Sequence, residues 1–319
     1  MVDMGSALVA FSGGIDSTLV LKVAHDVLGA RAVAVTAVSP TYPAMELALS
    51  QTICAEIGVR QILHKTDQLR DSEFVMNTAS RCYRCKTDLY SALVPMAARL
   101  GLAYVVNGAQ CDDLGDDRPG LQAAREYSVR SPLVEAGMGK AEVRQAARRL
   151  GLSTWDKPAA ACLSSRIARG ETITVERLRR IEAAEEVLLH EGFRQVRVRD
   201  HGGNARVEVG QDELARLFES TMQAFITSRL AALGFATVTL DPDGYRKAVR
   251  ITHSFCEQGD WLVFCLQKSC LSPFLSGVLG ITQDCGLVFS SSRTLLIRVS
   301  MRKGLWRSEE KSSQPPYDS

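Results

Sequence analysis

Six consecutive residues, Ser12, Gly13, Gly14, Ile15, Asp16 and Ser17, stand between an apolar run and an amphipathic one, where a chain can hold a phosphate. Two adjacent glycines let the backbone turn so that successive amide N–H groups point at one spot, and the positive end of a following helix adds to the field there. The Ser12 and Ser17 hydroxyls are further donors, and Asp16 is placed to carry magnesium. No GKS or GKT follows the glycines, so this is not a Walker loop. A cradle that keeps the β and γ phosphates of ATP together implies cleavage at the α phosphate. The product is then an adenylate awaiting a nucleophile.

Sulfur supplies the second constellation. Arg81, Cys82, Tyr83, Arg84, Cys85 and Lys86 set two thiols among three cations, which is expected to lower the thiol pKa values and favour thiolates, ligands for soft metals. Two ligands do not complete a site. The best third is Cys162, in a segment flanked by Lys157 and Arg166. Three cysteines holding a cubane iron–sulfur cluster would leave one iron open to carry a sulfide. A redox disulfide between Cys82 and Cys85, a zinc site or free thiols remain alternatives on spacing alone. Cys54, beside Ile53 and Ile57, reads as core, and Cys111 adjoins an acidic motif. The spacings of Cys256, Cys265, Cys270 and Cys285 match no zinc pattern.

That acidic motif, residues 107–120, carries Asp112, Asp113, Asp116 and Asp117 just past an expected strand end, where ligands bind in open α/β sheets. Its carboxylates would bind magnesium or order a substrate loop, or are a solvated turn. Arg197 and Arg199 alternate with Val196 and Val198, so both guanidinium groups leave one face of a strand, and with His201 they form a candidate phosphate clamp. Exposed, solvated arginines are the competing reading. His25 and His64 read as packing or surface residues.

The elements that must position these groups follow from periodicity. Strands are expected at 8–11, 32–38, 61–65 and 104–107, alternating with helices over about 16–28, 44–57 and 86–100. That rhythm gives an α/β fold, a doubly wound parallel-sheet domain over 1–158. A helix at 175–190, strands at 195–199 and 205–209, a helix over 212–233 and a strand at 237–240 give a smaller α+β domain over 159–247. Residues 248–319 change texture, with strands expected at 261–266 and 286–299 and a disordered tail around 314–316.

Composition narrows the partners. The 319 residues are 46% hydrophobic and 23% charged, with a net charge of +2, so little electrostatic pull toward nucleic acid is expected. No apolar run reaches the length of a bilayer span and no secretory leader stands at the start, which points to a cytoplasmic protein with no membrane partner. Nine cysteines form an odd count unlike a secreted disulfide framework.

Taken together, SGGIDS, TAVSPTYP (36–43), RCYRCK, NGAQCDDLGDDRPG, DKPAAACLSSR and LDPDGYR (240–246) resemble the LarE family of ATP-dependent sulfur transferases, in the PP-loop superfamily. The likeness covers residues 7–246 and nothing beyond. It implies adenylylation of a carboxylate of pyridinium-3,5-biscarboxylic acid mononucleotide, followed by replacement of oxygen by sulfur, toward the nickel-pincer cofactor of lactate racemase. It implies ATP and Mg2+ at Ser12, Gly13, Gly14, Asp16, Ser17 and Thr36, with Asp16 catalytic. Cys162 matches the family's sulfur-bearing cysteine, and Cys82 with Cys85 places the chain with the three-cysteine members that use a 4Fe-4S cluster. Arg166, Arg197, Arg199, Asp112 and Asp113 are then expected around the substrate, and the family assembles into homo-oligomers. A PP-loop tRNA thiolase and an ammonia-using synthetase are the enzymatic alternatives. The tail from 247 onward is expected to be a foreign extension.

Overall fold

A computed structural model describes residues 1–114, 119–158 and 160–246, together with the backbone of three later strands. Asp116, Asp117, Cys256, Cys270, Cys285 and the segment 314–316 lie outside the described residues. The chain divides into two compact units, Met1–Tyr245 and Arg246–Ser319.

In the first unit the sheet begins with β1 (Ala7–Ala10), a short apolar strand whose residues are almost fully covered. α1 (Ile15–Leu28) follows, ending at Gly29 with φ 59°, a conformation that glycine adopts without penalty. Then come β2 (Ala32–Val38), α2 (Ala44–Ile57) and β3 (Gln61–Lys65). A single turn, α3 (Ser72–Val75), precedes the long α4 (Arg81–Arg99), and β4 (Tyr104–Val106) completes a four-stranded, all-parallel sheet in the order β3-β2-β1-β4. α5 (Pro119–Glu126), α6 (Pro132–Glu135) and α7 (Lys140–Arg149) close this part.

Helices cover both faces because successive residues of a strand point to opposite sides. Ala7 and Val9 join a core with Leu19, Leu21, Val143 and Ala147, whereas Leu8 joins Tyr90, Leu93 and Ala123 on the other face. The strand order reverses at β1, whose two neighbours are β2 and β4. A crevice at the carboxyl ends of β1 and β4 is the ligand position that such a reversal creates.

A second sheet follows α8 (Val175–His190). β5 (Val196–His201) and β6 (Asn204–Val209) form an antiparallel hairpin turned by Gly202 and Gly203, both at positive φ as a two-residue turn of matching twist requires. The helix expected over 212–233 is broken: α9 (Leu214–Leu217) stops, Glu219 adopts extended backbone at ψ 130°, and α10 (Ser220–Ala232) starts afresh. β7 (Thr237–Leu240) then pairs parallel to β6, giving the order β5-β6-β7.

Both sheets lie in one compact unit because a shared core joins them. Phe74 of α3 and Leu163 and Ile167 of the connecting loop are buried among Leu178, Ile181, Val198 and Val207, and Cys85 of α4 packs against the same cluster. The second compact unit contains β8 (Trp261–Gln267), β9 (Gly286–Ser291) and β10 (Thr294–Ser300), antiparallel in the order β8-β10-β9. The strand expected over 286–299 is therefore two strands of a hairpin. Among the described residues, no helix is long and apolar enough to cross a membrane.

Because Met1–Tyr245 closes its own cores, a chain ending at Arg246 is expected to unfold in one cooperative transition with nearly the midpoint of the full chain. Circular dichroism melting of both forms checks this, and an insoluble or non-cooperative short form would contradict it.

Candidate active site

Gly13 enters the turn after β1 with φ 66°, and Gly14 is the N-cap of α1. No side chain caps that helix end, so its first amide N–H groups are left for another acceptor. The loop is braced from within. Ser12 N–H reaches the Ser17 hydroxyl at 3.3 Å, the two serine hydroxyls lie 3.2 Å apart, and the Ser17 and Thr18 hydroxyls donate to the Gly14 carbonyl at 3.0 and 2.9 Å. Burial first, and then the Glu46 carboxylate, raise the Tyr42 hydroxyl well above its ordinary range. It remains a donor, and its hydrogen bond to the Ser12 carbonyl, 3.0 Å, fixes the loop from the far side.

Across the crevice, the segment after β4 comes so close that only glycine fits. A Cβ on Gly108 would lie 2.7 Å from the Ser17 amide nitrogen. Asn107 before it is buried and accepts hydrogen bonds from the Ala109 amide and the Ser131 hydroxyl. The acidic pair further along has a structural use: Asp113 accepts from the Gln110 amide at 3.1 Å, and Asp112 accepts the first amide of α7, Lys140 N–H, at 3.0 Å. Of the two uses expected for these carboxylates, loop ordering is the one visible in their contacts. Lys140 in turn places its ammonium 2.7 and 2.8 Å from the two Asp16 oxygens.

Cys162 is exposed at the N-cap of a 3-10 turn, Leu163–Arg166, and everything after it is anchored. Leu163 is buried and its N–H donates to the Thr41 carbonyl at 2.9 Å. Thr41 and Tyr42 are adjacent, so two neighbouring residues tie the Cys162 turn to the glycine loop. Lys157 makes a second tie, donating to the Gly13 carbonyl at 3.1 Å while paired with Glu46 at 2.5 Å.

The thiol pair comes to the same place by another route. α4 begins at Arg81, five residues before the expected start, so Cys82 and Cys85 occupy its first turn and, three positions apart, share one side of the helix. Arg81 donates to the Ser164 carbonyl at 2.8 Å and to Asn77 Oδ1 at 2.6 Å. Asn77, fully buried at φ 55°, donates from Nδ2 to the Ile167 and Ala168 carbonyls. An asparagine tolerates that left-handed backbone better than most residues. Tyr90, against the effect of burial, raises the Lys86 amine above its ordinary range, and Cys85, Cys82 and Cys162 all act in the same direction. The three sulfurs and Lys86 therefore share one neighbourhood.

One expectation about these thiols is corrected. Cys85 is not a low-pKa cysteine: burial against the second core pushes it up to about 11, and Lys86 only partly opposes that. Among the described residues, no three His, Cys, Asp or Glu side chains converge on a point that could hold a metal ion.

The arginines line the wall beyond Cys162. Arg197 and Arg199 leave the same side of β5, as alternation requires. Arg199 forks onto Glu208 at 2.6 and 2.9 Å and reaches the Ser165 carbonyl at 3.3 Å; Arg197 stacks over Tyr245, 5.3 Å from its ring centre. His201 is exposed at the strand end. Arg166 has a different occupation from the substrate contact expected of it. It is buried, its Nε and Nη2 pair with Glu185 at 2.9 Å each, and its Nη1 donates to the Ala161 and Cys162 carbonyls. Thr36, expected beside the nucleotide, is also buried, and its hydroxyl accepts from Gln61 at 2.8 Å, a contact inside the sheet.

Sequence reasoning passed over Asn77, Lys140 and the Lys157–Glu46 pair as working parts of this site. A lysine opening a helix right after Gly139 is the only local signal for Lys140, and nothing local marks Asn77.

Proteins similar to this chain include an uncharacterised protein of Synechocystis, 45% identical over 244 residues, 76% of this chain and 91% of that protein. The pyridinium-3,5-bisthiocarboxylic acid mononucleotide synthase of Lactiplantibacillus plantarum is 40% identical over 245 residues, 76% of this chain and 88% of the synthase. An uncharacterised Methanocaldococcus jannaschii protein is 27% identical over 239 residues, 75% of this chain and 90% of its own length. No family model matches the chain.

Gly108→Ala puts a methyl where the backbone of Ser17 already stands, and one of the two segments must move. A loss of about 1–3 kcal/mol is expected in urea unfolding, with distortion of the crevice. An unchanged midpoint would show that β4 and α1 do not approach as described.

Proposed function

Since the chain belongs to the LarE family, that of the L. plantarum synthase, we propose that it is an ATP-dependent sulfur transferase that makes a thiocarboxylate on a pyridinium mononucleotide, by way of an adenylylated carboxylate. The observation that carries this reading is the double tie at Thr41 and Tyr42, which sets the exposed Cys162 turn beside a glycine loop suited to phosphate. An adenylate formed at that loop would have a sulfur nucleophile within the same crevice.

The residues fit a PP-loop and its nucleotide. The uncapped end of α1, the positive φ of Gly13 and the Ser12 and Ser17 hydroxyls make an acceptor-hungry cradle for the β and γ phosphates. Asp16 would carry magnesium. A substrate carboxylate oxygen attacks the α phosphorus, and the bond to the bridging oxygen breaks with its electrons leaving on pyrophosphate. A sulfur nucleophile then adds to the activated carbonyl carbon, and AMP departs with the C–O electron pair. Holding both reactants in one crevice is the main contribution such a site makes. Arg197 and Arg199 face the region past Cys162 and would bind the substrate phosphate, while Arg166 positions the Cys162 turn from below.

Cys82, Cys85 and Cys162 would hold a 4Fe-4S cluster. The donor set suits it: each thiolate of a cubane ligates a different iron, so the sulfurs need not converge on one point, and Lys86 beside them offsets the negative charge. When bound, such a cluster would supply an open iron able to carry sulfide. In its absence Cys162 could yield its own sulfur and become dehydroalanine.

With ATP and the biscarboxylate mononucleotide, the full chain is expected to release pyrophosphate and AMP. Cys162→Ala should retain pyrophosphate release and lose thiocarboxylate formation by about a thousandfold or more. Anaerobic protein with an iron–sulfur chromophore supports the cluster, and loss of one sulfur mass at Cys162 after turnover supports sacrifice. Absence of pyrophosphate release from the wild type would end the proposal.

A further inference from the structure

The glycine loop contains no lysine, yet a lysine stands over its helix. Lys140 Nζ lies 2.7 and 2.8 Å from the two oxygens of Asp16, the second residue of α1. The contact is made from an unrelated segment, 124 positions along the chain. The backbone of Lys140 cannot shift freely: its N–H is held by Asp112, and Gly139 before it donates to Glu142. A Cβ on Gly139 would meet Asp112 Oδ1 at 2.9 Å, so the turn is packed tightly against that carboxylate. The freedom that remains is in the four-carbon side chain, whose charged end is partly open to solvent, as is Asp16.

A second lysine reaches the loop, but its situation differs. Lys157 is more covered and is engaged twice, by Glu46 at 2.5 Å and by the Gly13 carbonyl at 3.1 Å. It braces the loop. Lys140 has a single carboxylate partner, and that carboxylate is the one a divalent cation would take.

We propose that Lys140 occupies the metal position on Asp16 while the nucleotide site is empty and turns onto the β,γ-pyrophosphate when Mg-ATP enters, supplying the cation that the loop lacks. The proposal rests on the reading of this crevice as an ATP site. Two cations cannot both sit close to one carboxylate at full strength, so magnesium arriving with ATP displaces the ammonium toward the nearest anion, the phosphates it brings. During adenylylation the electron pair of the broken bond to the α phosphorus accumulates on pyrophosphate. The Lys140 ammonium stabilises that charge without giving up a proton.

The test uses the full chain and inorganic pyrophosphate as the probe, by isothermal titration calorimetry without divalent metal. Lys140→Met is expected to weaken pyrophosphate binding about tenfold or more, and Lys140→Arg to keep most of it. Asp16→Asn frees the ammonium and is expected to tighten metal-free binding, the opposite of what loss of a merely structural ion pair would do. Mn2+ followed by EPR should bind nucleotide-free Lys140→Met more tightly than the wild type, because its competitor is gone. If Lys140→Met proves unstable, the Asp16→Asn titration decides alone. Unchanged or weaker pyrophosphate binding in Asp16→Asn, or undiminished binding in folded Lys140→Met, overturns the role given to Lys140. A wild type that binds no pyrophosphate overturns the ATP reading along with it.

Discussion

The position of Cys162 depends on one buried ion pair. Arg166 and Glu185 meet edge to edge inside the second core, with nearly all of both side chains out of water. Such a pair contributes little net stability by replacing water, but removing one partner leaves a buried charge, at a cost of about 3–5 kcal/mol. Here the pair also has directional work. The remaining Arg166 nitrogen holds the carbonyls of Ala161 and Cys162, and Glu185 accepts the Val198 amide, so α8, β5 and the sulfur-bearing turn are fixed to one another.

The other attachments converge on that turn from the parallel sheet. Leu163 is held through its amide by Thr41, the next three residues through Arg81 and the buried core, and the end of the loop by Asn77. The result is an exposed thiol on a rigid base. A site meant to bring sulfur to an activated carbon needs that combination, since small displacements of a nucleophile lose much of the advantage of holding it in place. The same attachments explain why the two sheets share a core rather than hanging on a linker.

Charge is distributed around the crevice in pairs that differ in how they can respond. Arg166 with Glu185 and Arg199 with Glu208 are covered, forked and geometrically fixed. Lys140 with Asp16 is partly hydrated and has one fixed end. A fixed pair positions, whereas a hydrated one can exchange partners when an anion or a metal arrives. The distinction follows from burial and from the shapes of the two cations, a planar fork against a point charge on a flexible stem.

The alternation of apolar runs with helical stripes was enough to determine the four parallel strands, the helices around them and the place of the glycine loop between β1 and α1, because periodicity and glycine spacing are local properties. The hairpin at Gly202 and Gly203 and the shared side of Arg197 and Arg199 were equally legible. What lay beyond local reading was each choice made by distant partners. α4 starts at Arg81 because Asn77 and Ser164 accept its guanidinium, Cys85 has a raised rather than a lowered pKa because the second core covers it, and Arg166 and Thr36 face inward because Glu185 and Gln61 are there to receive them. Residue type and spacing set which chemistry this chain can hold. Only the tertiary fold decided which side chains remain free for it, since whether a polar group is free depends on contacts made by residues up to 124 positions away.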